Sequence, residues 1–220
     1  MKRRTLEPDP DNAGVGISLK RHIFAPDYSG AIFVLEVIMK QHQKLLTLVE
    51  GALCIAIAYA LSFIKFKIWP EGGSIDIVMV PLLIYAWRRG AGWGIIAGLI
   101  FGTIKCFFAG GFAWGWQSII LDYSVAYGAV GLGGLIRKAK HGLPWGAVIG
   151  SICRFIVHFI SGVTIYRILE PTAFAGTTYS NAALFSAVYN GSYMLFNMIL
   201  AIILCFLLEK PLERLPGADR

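Results

Sequence analysis

Six apolar stretches separated by short polar connections constrain the fold of this chain more than any other feature of its sequence. They lie near residues 45–64, 75–87, 93–109, 117–136, 144–167 and 182–208. A helix needs about 20 apolar residues to cross the hydrocarbon core of a bilayer, and only helices and closed barrels satisfy their backbone hydrogen bonds there. With 56% hydrophobic and 15% charged residues, the chain is predicted to be an all-α integral membrane protein with six transmembrane helices.

The second apolar stretch is shorter than a full membrane crossing. Its first part, WPEGGSIDIVMVP, carries Pro70, Gly72, Gly73 and Pro81. Irregular backbone at membrane depth is tolerated only where protein buries it or where it borders a cavity. We therefore expect this segment to be tilted or irregular and to be sheltered by its neighbours.

Basic residues gather in the connections on one side of the predicted bundle. Arg88 and Arg89 follow the second stretch, Arg137–His141 follow the fourth, and Lys210 and Arg214 follow the sixth. Cytoplasmic loops are enriched in lysine and arginine, so both termini are predicted to be cytoplasmic. This distribution accounts for the net charge of +7 without a nucleic-acid partner.

Five polar side chains interrupt the apolar stretches: Lys105, Asp122, Arg154, His158 and Asn190. An ionisable group in a membrane costs about 2.5–3.5 kcal/mol on insertion scales, so each is a candidate functional residue. Arg154 and His158 are four residues apart and share one face of a helix. Two interpretations of Asp122 are possible. Its carboxylate can form a structural pair with an arginine, or it can bind a ligand.

Aromatic residues occupy the outer parts of the same segments: Trp69, Phe112, Trp114, Trp116, Tyr123 and Tyr166. Such residues often form only an interfacial belt. Together with a carboxylate, an imidazole and an amide, they also describe a pocket for a flat, cationic solute, because aromatic faces attract cations.

Two classes of function remain open from the residues alone. One is a membrane subunit that binds a solute, and the other is a membrane enzyme that acts on a lipid with Asp122, Arg154 and His158. The sequence contains no Gly-rich phosphate loop, H-E-x-x-H or G-x-S-x-G motif. Its four cysteines lie in apolar runs without CxxC spacing, which predicts inert thiols and no metal site.

Five motifs of the chain resemble one family. ALCIAIAYALSFIKF, LIYAWRRG, LDYSVAY, CRFIVHFISGV and VYNGSYM occur in the order that is typical of the thiamine-specific substrate-binding subunit (S component) of energy-coupling factor (ECF) transporters. The resemblance implies six helices, an outward-facing thiamine pocket and a place in the bacterial cell membrane. It also implies assembly with a transmembrane coupling subunit and two ATP-binding subunits, so the chain would be no enzyme and would need no cofactor. An S component for another vitamin is the alternative.

The same resemblance implies which residues would bind the ligand. Asp122 stands where some relatives have glutamate, and Tyr166 stands where a relative has a stacking tryptophan. The complete set is Asp122, Tyr123, His158, Asn190, Arg154, Tyr166, Trp69, Phe112 and Phe101.

A stripe of small residues marks the first apolar stretch. Ala52, Ala56 and Ala60 recur every four residues, which allows another helix to approach closely. That helix can belong to the same chain. The resemblance instead implies that Ala52 and Ala56 dock the S component onto its coupling subunit.

The first 38 residues differ from the rest of the chain. EPDPDNAGVGI, residues 7–17, has no hydrophobic periodicity, and the segment lacks the apolar core and cleavage site of a signal peptide. With suitable codons its reverse translation resembles the core of the thiamine-pyrophosphate riboswitch, an RNA element that precedes thiamine genes. We predict that residues 1–38 are a translated leader and that residues 39–220, from Met39, form the six-helix domain. The alternative is a disordered cytoplasmic tail.

Overall fold

The computed structural model of the chain describes residues 29–69, 72–108, 116–166 and 172–215. This part of the chain forms six helices and two short β-hairpins. The helices are α1 (Ser29–Leu61), α2 (Met79–Arg89), α3 (Ala91–Phe108), α4 (Trp116–Ile136), α5 (Gly142–Tyr166) and α6 (Ala182–Glu213). The strands are β1 (Phe66–Trp69), β2 (Gly72–Ile75), β3 (Thr172–Phe174) and β4 (Thr177–Tyr179).

Within the described residues, five helices are long and apolar enough to cross a membrane, and α2 is the exception. Its 11 residues give a length of about 16 Å, against a hydrocarbon core of about 30 Å. Leu82, Leu83 and Trp87 of α2 are buried in the main hydrophobic core, which also contains Ala58, Val130, Ala147 and Cys205 from other helices. The second segment is therefore sheltered by protein, as the sequence predicts.

The chain divides into two units, Met1–Leu45 and Leu46–Arg220. In the described part of the first unit, α1 exposes Ile32 and Phe33, and Lys40 pairs with Glu36 at 2.8 Å. The predicted start of the first helix, near residue 45, is wrong by 16 residues, because α1 begins at Ser29. The residues before 45 contain charges that lower their hydropathy, yet they hold no glycine or proline that would end a helix after Gly30.

Helices α3 and α4 pack with their backbones in contact. Gly94, Gly98 and Gly102 recur every four residues on α3. A Cβ atom at Gly98 would lie 2.1 Å from the carbonyl oxygen of Tyr127, and one at Gly102 would lie 2.3 Å from that of Tyr123. Only glycine permits this approach, which brings two tyrosines of α4 against α3.

Helix α4 changes its geometry along its length. It begins with Trp116–Ser118, continues as a π-helix over Ile119–Val125 and an α-helical turn over Ala126–Val130, and ends as a 3-10 helix over Gly131–Ile136. π-helical stretches are rare and often occur at functional sites. This one carries Asp122 and Tyr123, which are two of the predicted pocket residues.

The antiparallel hairpin of β1 and β2 lies against α6. Gly73 has a φ of 71°, and a Cβ atom there would lie 2.8 Å from the ring of Tyr193. The side-chain amide of Asn197 binds the end of the hairpin: its Oδ1 accepts from the backbone N–H of Asp76 at 2.8 Å, and its Nδ2 donates to the carbonyl of Ser74 at 2.8 Å. The close approach at Gly73 and the hydrogen bonds of Asn197 thus hold the hairpin against α6.

Candidate ligand-binding site

Asp122 and His158 are paired between α4 and α5. Asp122 Oδ1 lies 3.1 Å from His158 Nδ1, and Asp122 Oδ2 accepts a hydrogen bond from Ser118 Oγ at 2.6 Å. His158 is buried, whereas 22% of the Asp122 side chain is exposed. Among the described residues, an imidazole and a hydroxyl hold this carboxylate, and no ion pair joins it to Arg154. The interpretation of Asp122 as the partner of an arginine is therefore not supported.

Arg154 lies one turn before His158 on the same helix and contacts Tyr127. Its Nη2 donates to the Tyr127 hydroxyl at 3.1 Å, and the guanidinium carbon lies 4.3 Å from the ring centroid. Lys105 of α3 donates to the same hydroxyl at 2.5 Å and to Asp76 Oδ2 at 3.0 Å. Two cations thus share one phenol, and one of them also has a carboxylate partner.

Asn190 of α6 belongs to the same polar cluster as His158. Its Nδ2 donates to Ser186 Oγ at 3.1 Å and to the carbonyl oxygen of His158 at 3.3 Å. Its Oδ1 accepts from the Tyr193 hydroxyl at 3.0 Å. The structure therefore brings together Asp122, His158 and Asn190, three of the predicted site residues, with Arg154 one turn away.

Three nitrogen atoms of this cluster are buried and have no hydrogen-bond partner in the part of the chain that the structure describes. They are Nε and Nη1 of Arg154 and Nε2 of His158. A buried unpaired polar group costs about 1–3 kcal/mol. Because His158 Nδ1 faces a carboxylate, a neutral ring keeps its proton there and leaves Nε2 as an acceptor. One face of α5 thus carries two unpaired donor nitrogens and one unpaired acceptor nitrogen among the described residues.

A cluster of aromatic rings lies next to the polar cluster, along α6. Phe174 of β3 packs with Phe185, Tyr189 and Tyr193 in a buried cluster. The rings of Phe185 and Tyr189 are stacked, with centroids 5.7 Å apart and an interplanar angle of 9°. Because Tyr193 also binds Asn190, aromatic faces and hydrogen-bonding groups adjoin each other.

The other predicted pocket residues are placed differently. Phe101 is fully buried and meets Tyr127 edge-on at 4.8 Å between ring centroids. Tyr123 is half-buried in the π-helical part of α4. Three predicted contacts lie outside the described part of the chain: Phe112 and the side chains of Trp69 and Tyr166. No group of His, Cys, Asp and Glu among the described residues could hold a metal ion.

A second candidate surface is an apolar groove between α1 and α3. The groove has a volume of about 470 Å³, and Ala52, Ala56, Trp93 and Ile96 contribute to its walls. Ala52 and Ala56 are exposed. Packing within the described part of the chain therefore does not bury these two side chains.

Residues 48–216 match the family model described as thiamine transporter protein. The chain belongs to this family. It is 32% identical over 185 residues to the thiamine transporter ThiT of Bacillus subtilis, an alignment that covers 77% of this chain and 93% of the relative. It is 28% identical over 181 residues to the thiamine transporter ThiT of Lacticaseibacillus paracasei, which covers 75% of this chain and 87% of that relative.

Solved structures agree with this membership of the thiamine transporter family. ThiT from Listeria monocytogenes is 26% identical with a TM-score of 0.67, over 80% of this chain and 98% of that chain. The S component of a bacterial ECF transporter has the same fold, with a TM-score of 0.55 at 21% identity over 77% of this chain and 96% of that chain. The predicted relation to thiamine transporters, the multi-pass membrane location and the choice of transporter over enzyme are confirmed.

Sequence reasoning missed several residues that hold the site of this thiamine transporter family member. Lys105 is a candidate functional residue from its charge alone, whereas no sequence pattern predicts its contact with Tyr127 or the role of Tyr127 itself. On α6, Ser186, Asn190, Tyr193 and Asn197 follow one another at intervals of four, three and four residues. This spacing places them on one helix face. A polar stripe in an otherwise apolar helix is therefore a sequence signal from which these residues can be predicted.

Proposed function

We propose that the chain is the thiamine-binding subunit of an ECF-type vitamin uptake transporter and that the cluster around Asp122 and His158 binds the vitamin. The observation that carries this proposal is the buried Asp122–His158 pair beside the unpartnered nitrogen atoms of Arg154. Such groups are costly inside a membrane, and ligand contacts would compensate for the cost.

The chemistry of the cluster matches that of thiamine. Thiamine carries a permanent positive charge on its thiazolium ring, and its aminopyrimidine ring has nitrogen acceptors and an amino donor. Asp122 supplies a carboxylate, Arg154 supplies donors and His158 Nε2 supplies an acceptor. A hydrogen bond to a charged group contributes about 1.5–3 kcal/mol, and a cation over an aromatic face contributes about 2 kcal/mol where water is excluded.

Aromatic faces and an amide complete the proposed pocket. Asn190 is placed beside His158 by its bond to the His158 carbonyl, and Tyr123 follows Asp122 on α4. Trp69, Phe101, Phe112 and Tyr166 keep their proposed ligand contacts on the strength of the family resemblance. Thiamine is the ligand, and no metal or other cofactor takes part.

In this proposal the groove between α1 and α3 binds the coupling subunit. Ala52 and Ala56 are exposed at its wall, and small side chains let a partner helix approach closely. The coupling subunit carries two ATP-binding subunits, which supply the energy. Both termini lie in the cytoplasm, and the thiamine site opens to the outside.

Mass spectrometry of the small molecules that leave the purified, denatured protein tests the proposal. We expect thiamine in a near-stoichiometric amount from the wild-type protein and a smaller amount from Asp122→Asn protein purified in parallel. Riboflavin or biotin in place of thiamine would overturn the assignment of the substrate.

A further inference from the structure

Tyr127 is the point at which charged side chains of two other helices meet. The residue belongs to α4, and 2% of it is exposed. Its hydroxyl accepts from Lys105 Nζ at 2.5 Å and from Arg154 Nη2 at 3.1 Å. Its ring lies 4.3 Å from the Arg154 guanidinium carbon, and Phe101 supports the ring edge-on.

These contacts define the orientation of Arg154. An arginine side chain has many rotamers, and its planar guanidinium group favours a ring face and directed hydrogen bonds. The ring of Tyr127 limits the position of the guanidinium group, and the bond from Nη2 limits its rotation. Nε and Nη1 remain buried, with no hydrogen-bond partner among the described residues.

The Tyr127 hydroxyl is itself held by a chain of contacts. Lys105, which donates to it, also binds Asp76 Oδ2 at 3.0 Å. The backbone N–H of Asp76 donates to Asn197 Oδ1 at 2.8 Å. Helix α6 and the end of the first hairpin are therefore connected through Lys105 and Tyr127 to Arg154.

We propose that Tyr127 is a positioning residue for ligand binding: it directs Nε and Nη1 of Arg154 towards a hydrogen-bond acceptor of the ligand, and Lys105 holds the Tyr127 hydroxyl in place. This inference rests on the proposed function, because the acceptor belongs to the bound vitamin. A tyrosine that only filled the core would affect stability, and its effect on affinity would not depend on Arg154.

A double-mutant cycle tests this dependence with the full chain in detergent and radiolabelled thiamine up to millimolar concentration. Tyr127→Phe keeps the ring and removes the hydroxyl. We expect its dissociation constant for thiamine to rise roughly three- to tenfold, the effect of losing one ordinary hydrogen bond. In an Arg154→Met background the same substitution should change the constant by less than about twofold on that reasoning.

Tyr85→Phe is the matched control. Tyr85 is also buried, but its hydroxyl donates to the carbonyl oxygen of Thr47 at 3.0 Å, in a contact separate from the candidate site. We expect this variant to lose thermal stability and to keep the wild-type dissociation constant.

Each outcome of the cycle has a defined meaning. An unchanged constant for Tyr127→Phe, or an equal increase in both backgrounds, would overturn the positioning role. If Tyr127→Phe protein does not fold, Lys105→Met takes its place in the cycle. We expect Lys105→Met to raise the thiamine dissociation constant in the wild-type background and to change it little in the Arg154→Met background. An unchanged constant, or an equal increase in both backgrounds, would again overturn the positioning role. Failure of the wild-type protein to bind thiamine would instead reject the proposed function.

Discussion

The Asp122→Asn substitution removes one negative charge from the site and keeps the shape of the side chain. In the structure Asp122 Oδ1 faces His158 Nδ1 at 3.1 Å, and Oδ2 accepts from Ser118 at 2.6 Å. Asparagine can preserve one of these contacts through its carbonyl oxygen and places an NH₂ group at the other. The variant thus loses the charge with which a cationic ligand would interact.

The expected loss of affinity follows from the value of a hydrogen bond to a charged group. About 1.5–3 kcal/mol corresponds to a rise in the thiamine dissociation constant of roughly 10- to 150-fold. Because 22% of the Asp122 side chain is exposed, solvent screens part of the interaction. We expect a value in the lower part of this range.

Titration calorimetry with thiamine and the purified subunit measures the effect, and the Tm of the ligand-free protein is recorded beside it. Ser118→Ala is the matched control, because it removes the hydrogen bond to Asp122 Oδ2 and keeps the charge. We expect it to weaken binding less than Asp122→Asn does. A wild-type dissociation constant for Asp122→Asn together with a lowered Tm would refute the ligand role and identify a structural carboxylate.

Three further predictions address docking, packing and the N-terminal segment. Ala52→Trp and Ala56→Trp should leave thiamine binding by the isolated subunit intact and abolish thiamine uptake by cells, because a bulky ring blocks close helix approach. Gly98→Val should reduce the amount of folded protein in the membrane fraction, because its Cβ would lie 2.1 Å from the Tyr127 carbonyl oxygen. A chain that begins at Met39 should support the same uptake as the full chain, because residues 1–38 are proposed to be a translated leader, and the mass of the mature protein identifies its start.

Matched variants and contrary results are available for each of these predictions. Ile57→Trp changes an exposed residue that directly follows Ala56 and does not line the groove, and it should retain uptake, whereas loss of binding in purified Ala56→Trp protein would show internal packing. Gly92→Val adds a Cβ that meets nothing within 4 Å, so equal amounts of Gly92→Val and Gly98→Val protein would contradict the close packing of α3 and α4. Genomic codons for residues 7–17 that cannot form the riboswitch core would contradict the translated leader.

The positions of the helices could be predicted because hydropathy alone identifies a membrane segment. The stretch predicted at 93–109 is observed as Ala91–Phe108, and the one predicted from 182 begins at Ala182. The start of α1 could not be found in this way, because a helix that continues beyond its apolar part gives no change in hydropathy at its true end. The glycine spacing of α3 was in the sequence and indicates close helix packing.

The pairing inside the site could not be predicted from spacing. The sequence places Arg154 and His158 on one face of α5 but cannot decide which of them meets Asp122. That choice depends on how α4 is rotated, and its π-helical part has no signature in hydrophobic periodicity. The role of Tyr127 could not be predicted from the sequence either, because a tyrosine in an apolar run is usually an ordinary core residue.

The distribution of charge around the site supports the proposal that Asp122, rather than Asp76, is the carboxylate that a cationic ligand would contact. Asp76 is 6% exposed and forms an ion pair with Lys105 at 3.0 Å. Among the described residues, Asp122 is held by a hydroxyl and an imidazole and forms no ion pair with a lysine or an arginine. Arg154 likewise forms no ion pair with a carboxylate in the part of the chain that the structure describes, and its hydrogen-bond partner there is the phenol of Tyr127. A ligand that carries its positive charge on one ring and hydrogen-bond acceptors on the other, as thiamine does, would compensate both at once.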